Sequence, residues 1–242
     1  MTEELCSTDA YLRECEAVVT VVTDEGVVLD RTVCYPRGGG QPGDTATLRW
    51  DGGETRVVDT VKSRETGEVV HAIEGAAPAL GTPVSVVLDW ERRYTHMRTH
   101  TALHALSGIV FGEFSAKVTG GNMESGGIAR MDFELDAISQ EFGREVQEKL
   151  NAALARDVPV HVLFLPRAQA FADPDLIRTK VSLIPDHVDP IRVIDIEGID
   201  KQADGGTHVR STGEVGRVRV VKTESKGKGN KRMRIALEEV GA

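Results

Sequence analysis

Cysteine is scarce in this chain, which has only Cys6, Cys15 and Cys34 among its 242 residues. Three scattered cysteines are too few for a disulfide framework or for a cysteine-rich zinc knuckle. Long apolar runs are also missing, since no stretch approaches the ~20 residues that a membrane-crossing helix needs. The acidic start MTEELCSTDAYLRECE lacks the basic and then apolar pattern of a secretory signal. These absences predict a cytoplasmic protein without a membrane partner.

Basic residues are fewer than acidic residues, so the formal net charge is −9. Such a chain repels a phosphate backbone on average, which argues against indiscriminate nucleic-acid binding and against DNA as a partner. One segment differs, since residues 217–234 carry eight Lys or Arg against one Glu. This basic segment is either an edge hairpin protected by solvated lysines or a local patch that contacts phosphates.

The first ninety or so residues indicate a small β-barrel or sandwich. Two β-branched runs flank Asp24-Glu25-Gly26 and two more flank Asp51-Gly52-Gly53, so each pair predicts a hairpin. Between the hairpins lies the loop YPRGGGQPGD, whose glycines allow close approach to the backbone of a partner. It is not a nucleotide-binding fingerprint, because no Lys-Ser/Thr follows and no helix is predicted after it.

Helical periodicity marks a second part of the chain. Leu103, Leu106 and Val110 recur at spacings of three and four and predict one long helix over residues 92–114. A second amphipathic helix is predicted after Ser139, which serves as its cap. The segments GIARMDFEL, VPVHVLFLP, IRVIDI, GRVRVVKTE and RMRIALE are predicted strands of one sheet. The fold class is therefore α+β, with a small β-barrel over residues 1–90 and a two-layer α/β domain over residues 91–242.

Two histidines on the long predicted helix have metal-ligand spacing. His100 and His104 are four residues apart, so their imidazoles project from one face about one turn apart. Two imidazoles bind one metal ion at this spacing, and His96 extends the row by another turn. Thr101 follows His100 where a protease-type zinc helix needs Glu, which disfavours peptide hydrolysis.

The segment DGGTHV supplies a complementary pair. Asp204 and His208 are four residues apart and are separated by Gly-Gly-Thr. With the helical pair they offer three imidazoles and one carboxylate, which is enough for a four-coordinate zinc site. The two glycines are expected to let the backbone bend so that His208 faces the helix.

The motif HTALH, followed after about a hundred residues by GGTHV, resembles the editing domain of alanyl-tRNA synthetase and its free-standing relatives, the AlaX editing hydrolases. CYPRGGGQPGDTATL is similar to the glycine-rich segment of the barrel that precedes that domain, and STGEVG and KGKGNKRMRI are similar to its closing region. A barrel and an editing domain without a long C-terminal extension are typical of the medium-length AlaX type. Threonyl-tRNA synthetases carry a related metal motif, but the glycine-rich segment and KGKGNKR favour the alanine branch.

The resemblance implies one Zn²⁺ per chain, held by His100, His104 and His208. It also implies hydrolysis of the ester that joins a wrong amino acid, chiefly serine, to the acceptor end of alanine tRNA, and leaves open whether glycine is removed as well. Where the synthetase pattern has Cys before Gly-Gly-Thr-His, this chain has Asp204. Asp204 is either a fourth, harder ligand or stays off the metal, where it is a candidate general base. No Gly-x-Ser-x-Gly elbow is present, so water is the expected nucleophile.

Substrate contacts are expected from three further places. Thr119 is the candidate that recognises the serine hydroxyl, unless it is an ordinary loop residue. The candidates for tRNA contact are Lys226, Lys228, Lys231, Arg232, Gly38, Gly39 and Gly40. The glycines have an alternative role as a turn that joins the two domains. Three other functions stay open: a non-catalytic tRNA-binding module stabilised by zinc, a threonyl-type editing domain, and a metal-dependent esterase for small molecules.

Overall fold

The computed structural model describes residues 2–173, 176, 184–186 and 188–238. The chain divides into two compact units, Met1–His96 and Met97–Ala242. No helix in the described ranges is long and apolar enough to cross a bilayer. The fold is an N-terminal closed β-barrel followed by an α/β domain, which confirms the predicted class.

The first unit is built around a closed barrel. Its strands, with a short pair outside the barrel, are β1 Glu3–Glu4, β2 Glu14–Thr23, β3 Gly26–Leu29, β4 Arg31–Thr32, β5 Ala46–Trp50, β6 Gly53–Lys62, β7 Val69–Glu74 and β8 Pro83–Leu88. The barrel order is β2-β3-β7-β6-β5-β8, and β1 pairs with β4 in parallel. Both predicted hairpins are confirmed, since β2 pairs with β3 and β5 pairs with β6 antiparallel. Buried Val19, Val27, Leu48, Val57 and Val86 fill the interior, because alternate side chains of each strand point inward.

The glycine-rich loop of this unit is fixed at its base by Asp44. Its Oδ2 accepts a 2.6 Å hydrogen bond from Tyr35 N and a 2.9 Å bond from Nε of Arg93. Arg93 is fully buried and its side chain also donates to the Val33 carbonyl at 2.6 Å. A Cβ at Gly43 would lie 2.2 Å from the Thr60 carbonyl oxygen, so that position needs glycine.

The second unit holds the remaining strands and most of the helical structure. The helices are α1 Trp90–Phe114, which begins before the unit boundary, α2 Gln140–Leu154 and α3 Arg167–Ala172. The strands are β9 Val118–Met123, β10 Ile128–Phe133, β11 Val160–Leu165, β12 Ile191–Ile196, β13 Asp200–Ala203, β14 Val218–Ser225 and β15 Lys231–Leu237. Helix α2 begins as predicted, because the Ser139 hydroxyl accepts a 3.1 Å hydrogen bond from Phe142 N.

The prediction of one sheet in this unit is wrong. One antiparallel sheet has the order β14-β15-β10-β9, and a separate one has the order β11-β12-β13. Strand β12 is flanked by β11 on one side and β13 on the other, so it has no free edge for the larger sheet. Strand patterns identify extended segments, whereas the partner of each strand depends on tertiary packing.

Candidate metal centre

Helix α1 carries the first pair of candidate ligands in its buried middle. Every residue from 99 to 108 is buried, and Ala102 and Leu106 among them are strong helix formers. A helix that is apolar or covered on all sides is typical of a domain interior. His100 and His104 therefore project from one helical face into protein, and their ring centroids lie 5.1 Å apart.

The second pair lies on the loop that follows β13. The Asp204 side chain stabilises a turn at the start of this loop. Its Oδ2 accepts a 2.6 Å hydrogen bond from Gly206 N, and Arg192 Nη1 donates to the Asp204 carbonyl at 2.9 Å. At Gly205 the backbone is outside the left-handed region, and a Cβ would meet no atom within 4 Å. The expectation that glycine freedom bends the loop is therefore wrong at Gly205, where the Asp204 turn shapes the backbone.

The two pairs meet in one group, in which the three histidines are buried and Asp204 is partly buried. Oδ1 of Asp204 lies 3.6 Å from His100 Nε2 and 3.8 Å from His104 Nε2. Oδ2 of the same carboxylate lies 3.2 Å from His208 Nε2. The His208 ring stacks on His100 with centroids 4.5 Å apart and lies edge-on to His104 at 4.8 Å. Helix and loop, a hundred residues apart in the chain, thus contribute to the same site.

The group has the size and chemistry of a metal site. One ligand atom from each residue lies within 4.8 Å of the others. Nitrogen and oxygen ligands bind tetrahedral zinc at about 2.0–2.2 Å, which places adjacent ligand atoms about 3.3–3.6 Å apart. The Asp204–histidine distances of 3.2–3.8 Å, which involve both carboxylate oxygens, are close to this spacing. His100, His104, Asp204 and His208 are therefore able to hold one metal ion.

The electrostatics of the group also suit a cation. Burial disfavours ionisation of Asp204, but the neighbouring histidines outweigh it and hold the pKa of its carboxyl well below the usual value. Burial and the charges of His100 and His104 lower the pKa of His208. Burial also opposes charge on His104, yet hydrogen bonds with Asp200 and Asp204 raise its pKa to about 10. The ionised carboxylate of Asp204 thus favours a positive charge beside it.

Thr101, which follows His100 on α1, contacts the second ring nitrogen of His208. Its Oγ1 lies 3.1 Å from His208 Nδ1 and accepts a 3.3 Å hydrogen bond from Val209 N. The Nδ1 atom of His208 is thereby engaged while Nε2 points to Asp204. Metal-binding histidines commonly have such a partner on the second ring nitrogen.

The other candidates make local contacts of their own. His96 is buried on α1, and its ring nitrogens have no hydrogen-bond partner among the described residues. Thr119 is exposed on β9, which the sequence did not predict as a strand, and its hydroxyl donates to Asn230 Oδ1 at 3.2 Å. The loop glycines adopt a tight turn, in which Gly39 and Gly40 have positive φ and the Tyr35 hydroxyl donates to the Gly38 carbonyl.

The four basic candidates differ in their surroundings. Lys226 and Lys228 are exposed in the turn between β14 and β15. Lys231 is buried and its Nζ donates to the Gly227 carbonyl at 2.7 Å. Arg232 binds both carboxylate oxygens of Asp132 at 2.6 and 2.8 Å. Lys228 and Lys226 therefore lie at the surface, although Lys226 Nζ is 3.9 Å from Glu224 Oε1, while the other two are bound more closely within the unit.

Sequence reasoning missed the polar residues that support the metal group. Asp200 and Gln202 precede Asp204 at alternate positions, and β13 ends only one residue before Asp204. Because alternate residues of a strand share a face, this spacing was a usable signal. Arg192 carried no comparable local signal, since its contact with the loop depends on the pairing of β12 with β13.

Two family models match the chain. Residues 191–234 match the threonyl and alanyl tRNA synthetase second additional domain. Residues 7–92 match the model for class II (A) tRNA synthetases. The first match includes the loop with Asp204 and His208, and the second covers all six strands of the barrel.

Curated proteins are similar to this chain over almost its whole length. The alanyl-tRNA editing protein AlaX-M of Methanosarcina barkeri is 37% identical over 98% of this chain and 99% of its own length. AlaX-M of Saccharolobus solfataricus is also 37% identical, over 96% of this chain and 98% of its own length. The alanine–tRNA ligase of Pyrobaculum neutrophilum is 37% identical over 92% of this chain, which matches 25% of that larger protein. The chain therefore belongs to the AlaX-M family of alanyl-tRNA editing proteins.

Proposed function

We propose that this protein is a hydrolase that removes a wrong amino acid, chiefly serine, from alanine tRNA. The supporting observation is the buried convergence of His100, His104, Asp204 and His208. It occurs in a chain whose relatives over almost its whole length are named alanyl-tRNA editing proteins. Water attacks the ester carbonyl, the bond to the terminal ribose breaks, and the products are the free amino acid and uncharged tRNA. Glycyl-tRNA(Ala) is a second candidate substrate.

Zn²⁺ is the metal that we propose for the site. Three imidazoles and one carboxylate are borderline and hard donors that suit Zn²⁺ in four-coordination. When bound, the ion supplies Lewis acidity, which makes water more acidic or polarises a carbonyl oxygen. His100, His104 and His208 would hold it through Nε2, and Asp204 would complete the set. The turn formed by Asp204 with Gly206 keeps this carboxylate at the site before metal binding.

Binding of the phosphates at the acceptor end of tRNA requires positive charge on the surface of the protein. We propose that Lys226 and Lys228 contact its phosphates, because both are exposed. Lys231 and Arg232 would act indirectly by shaping the turn, since they bind Gly227 and Asp132. Gly38, Gly39 and Gly40 remain candidates for close approach to the RNA backbone.

Selectivity requires that serine be accepted and alanine be rejected. A site that hydrogen-bonds the serine hydroxyl discriminates strongly, because its polar group loses a partner when alanine enters. We propose Thr119 as that group. Its hydroxyl hydrogen is directed to Asn230 Oδ1, which leaves the oxygen lone pairs to accept a hydrogen bond from substrate.

The proposal extends to domain roles and location. Residues 1–90 form the barrel domain, and residues 91–242 form the editing domain, since α1 carries two of the metal-site histidines. A protein that acts on charged tRNA belongs in the cytoplasm with its substrate.

The decisive assay measures deacylation of seryl-, glycyl- and alanyl-tRNA(Ala), with and without a chelator. Faster release of serine than of alanine is expected, and loss of activity after chelation is expected to be reversed by Zn²⁺. Equal rates for serine and alanine would contradict the proposal, and activity unaffected by metal removal would contradict only its zinc part. Seryl-tRNA(Thr) serves as the control for threonyl-type editing, and tRNA binding without hydrolysis would indicate a binding module.

A further inference from the structure

A buried carboxylate outside the four candidate ligands contacts one of them. Asp200, the first residue of β13, has no exposed side-chain surface, and its Oδ2 lies 2.9 Å from His104 Nδ1. An ionised carboxylate oxygen only accepts hydrogen bonds, so Nδ1 of His104 carries the hydrogen. The other ring nitrogen, Nε2, faces Asp204 Oδ1 at 3.8 Å. Asp200 thus selects the ring orientation that turns Nε2 toward the metal group.

Two further side chains hold the Asp200 carboxylate in place. Gln202 Nε2 donates to the same Oδ2 at 2.8 Å and to Ser107 Oγ at 3.1 Å. Asp200 and Gln202 share a face of β13, because they are alternate residues of one strand. Ser107 lies three residues after His104 on α1, so its hydroxyl is on the same side of the helix. The network therefore ties the carboxylate to both the strand and the helix.

Close packing of α1 against the start of β13 makes this contact possible. A Cβ at Gly108 would lie 2.2 Å from the Ile199 carbonyl oxygen and 3.0 Å from Asp200 Cβ. No side chain fits at position 108, which is one turn beyond His104 on the helix. The missing side chain lets the backbone at residues 199–200 approach the helix closely enough for Asp200 to reach His104.

We propose that Asp200 is a positioning residue of the metal centre, which orients His104 for metal binding and adds a negative charge beside the cation. The inference rests on the metal site of the proposed function and assigns a role to a residue outside the ligand set. Loss of such a partner from a metal-binding histidine lowers metal affinity about 10- to 100-fold.

The test compares metal affinity in the full-length wild-type protein, Asp200→Asn and Asp200→Ala. Zn²⁺ affinity is measured by competition with a chelator, and bound Co²⁺ is followed by its visible absorption. Asn keeps an acceptor for Nδ1–H but loses the charge, whereas Ala loses both. We expect affinity to fall about tenfold in the Asn variant and up to about 100-fold in the Ala variant, with an altered Co²⁺ band in the latter.

Asp195→Asn and Asp195→Ala are the matched controls. Asp195 is a partly exposed carboxylate on β12 of the same sheet, where it pairs with Lys201 at 3.3 Å. Both control variants should retain the affinity and the Co²⁺ spectrum of the wild type. Circular dichroism checks that each variant is folded.

Wild-type affinity and an unchanged Co²⁺ spectrum in the Asp200 variants would overturn the inference. If Asp200→Ala does not fold, Asp200→Asn decides, because loss of a purely structural carboxylate would leave metal binding by the folded variant unchanged. A wild-type protein that binds neither metal would contradict the zinc site of the proposed function as well. Wild-type binding with unaffected Asp200 variants would contradict the role of Asp200 alone.

Discussion

The Nε2 atom of His208 lies 3.2 Å from Oδ2 of Asp204, which precedes it by four residues on the same loop. The same Oδ2 accepts the Gly206 N–H at 2.6 Å, so the carboxylate both forms the turn and faces the histidine. Its Oδ1 lies within 3.8 Å of the two helical histidines. A carboxylate oxygen of Asp204 therefore lies within 3.8 Å of each of the three imidazoles of the group.

Replacement of Asp204 separates metal binding from loop shape. Asp204→Cys should retain Zn²⁺, because thiolate is a strong zinc ligand. Asp204→Ala should lose more affinity than the roughly 10- to 100-fold that loss of an outer partner costs. Asp204→Asn is the control, since its amide oxygen still accepts from Gly206 but is a poorer ligand. Chelator competition measures the series, and full Zn²⁺ occupancy in the Ala variant would show that Asp204 is not a ligand.

Removal of the Thr119 hydroxyl should weaken discrimination between amino acids. We expect Thr119→Val to lower the ratio of seryl- to alanyl-tRNA(Ala) deacylation by a factor of about 2 to 13, since one hydrogen bond contributes about 0.5–1.5 kcal/mol. Thr119→Ser keeps the hydroxyl and should keep the ratio. Single-turnover rates on both substrates provide the measurement. An unchanged ratio in a folded Val variant would assign the serine hydroxyl to another residue.

Removal of one exposed charge should weaken tRNA binding without changing the chemistry. Lys228→Ala should raise KM for seryl-tRNA(Ala) with little change in kcat, and should reduce the slope of log affinity against log salt by about 1. Lys149→Ala is the control, because Lys149 lies on α2 and its Nζ pairs with Glu145 at 3.0 Å. Equal salt slopes for Lys228→Ala and the wild type would place the phosphate contacts elsewhere.

Because His71 is buried in the barrel, we expect the protein to lose folding stability in acid. Its Nδ1 donates to the Val27 carbonyl at 3.2 Å, so Nε2 accepts from the Thr32 hydroxyl at 2.8 Å and the neutral ring is fully paired. Burial lowers the pKa of His71 from 6.5 to about 4. Between these values the unfolded chain binds a proton that the folded ring does not. This stabilisation is complete above pH 6.5 and is lost as the pH falls toward 4.

A pH series of denaturant unfolding measures this effect. The shift of the His71 pKa corresponds to about 3 kcal/mol of unfolding free energy across the window. His71→Gln, which has no titrating ring, should show a shallower decline in stability between pH 6.5 and pH 4. His161→Gln, at an exposed position on β11, is the control. A slope in the His71 variant equal to that of the wild type would contradict the prediction.

Local sequence patterns predicted the elements that carry the site. The periodicity around Leu103 and Leu106 identified the helix, and the turn residues at 24–26 and 51–53 identified two hairpins. Strands β9 and β13 were missed, because β9 contains two glycines and β13 is short and polar, so both are stabilised by their neighbours. Strand β7 was also missed, although its sequence VVHAIE is typical of a strand. The division into two sheets was also missed, since strand pairing is a long-range property.

By itself the sequence determined which residues are chemically able to bind a metal, and the four-residue spacing of His100 and His104 placed those two side chains on one face of the helix. Only the tertiary structure decided that the two pairs share one site and that Asp204 faces all three histidines. It also revealed Asp200 behind His104, a contact that depends on how closely α1 packs at Gly108. Distances between segments a hundred residues apart are set by packing, and no local pattern encodes them.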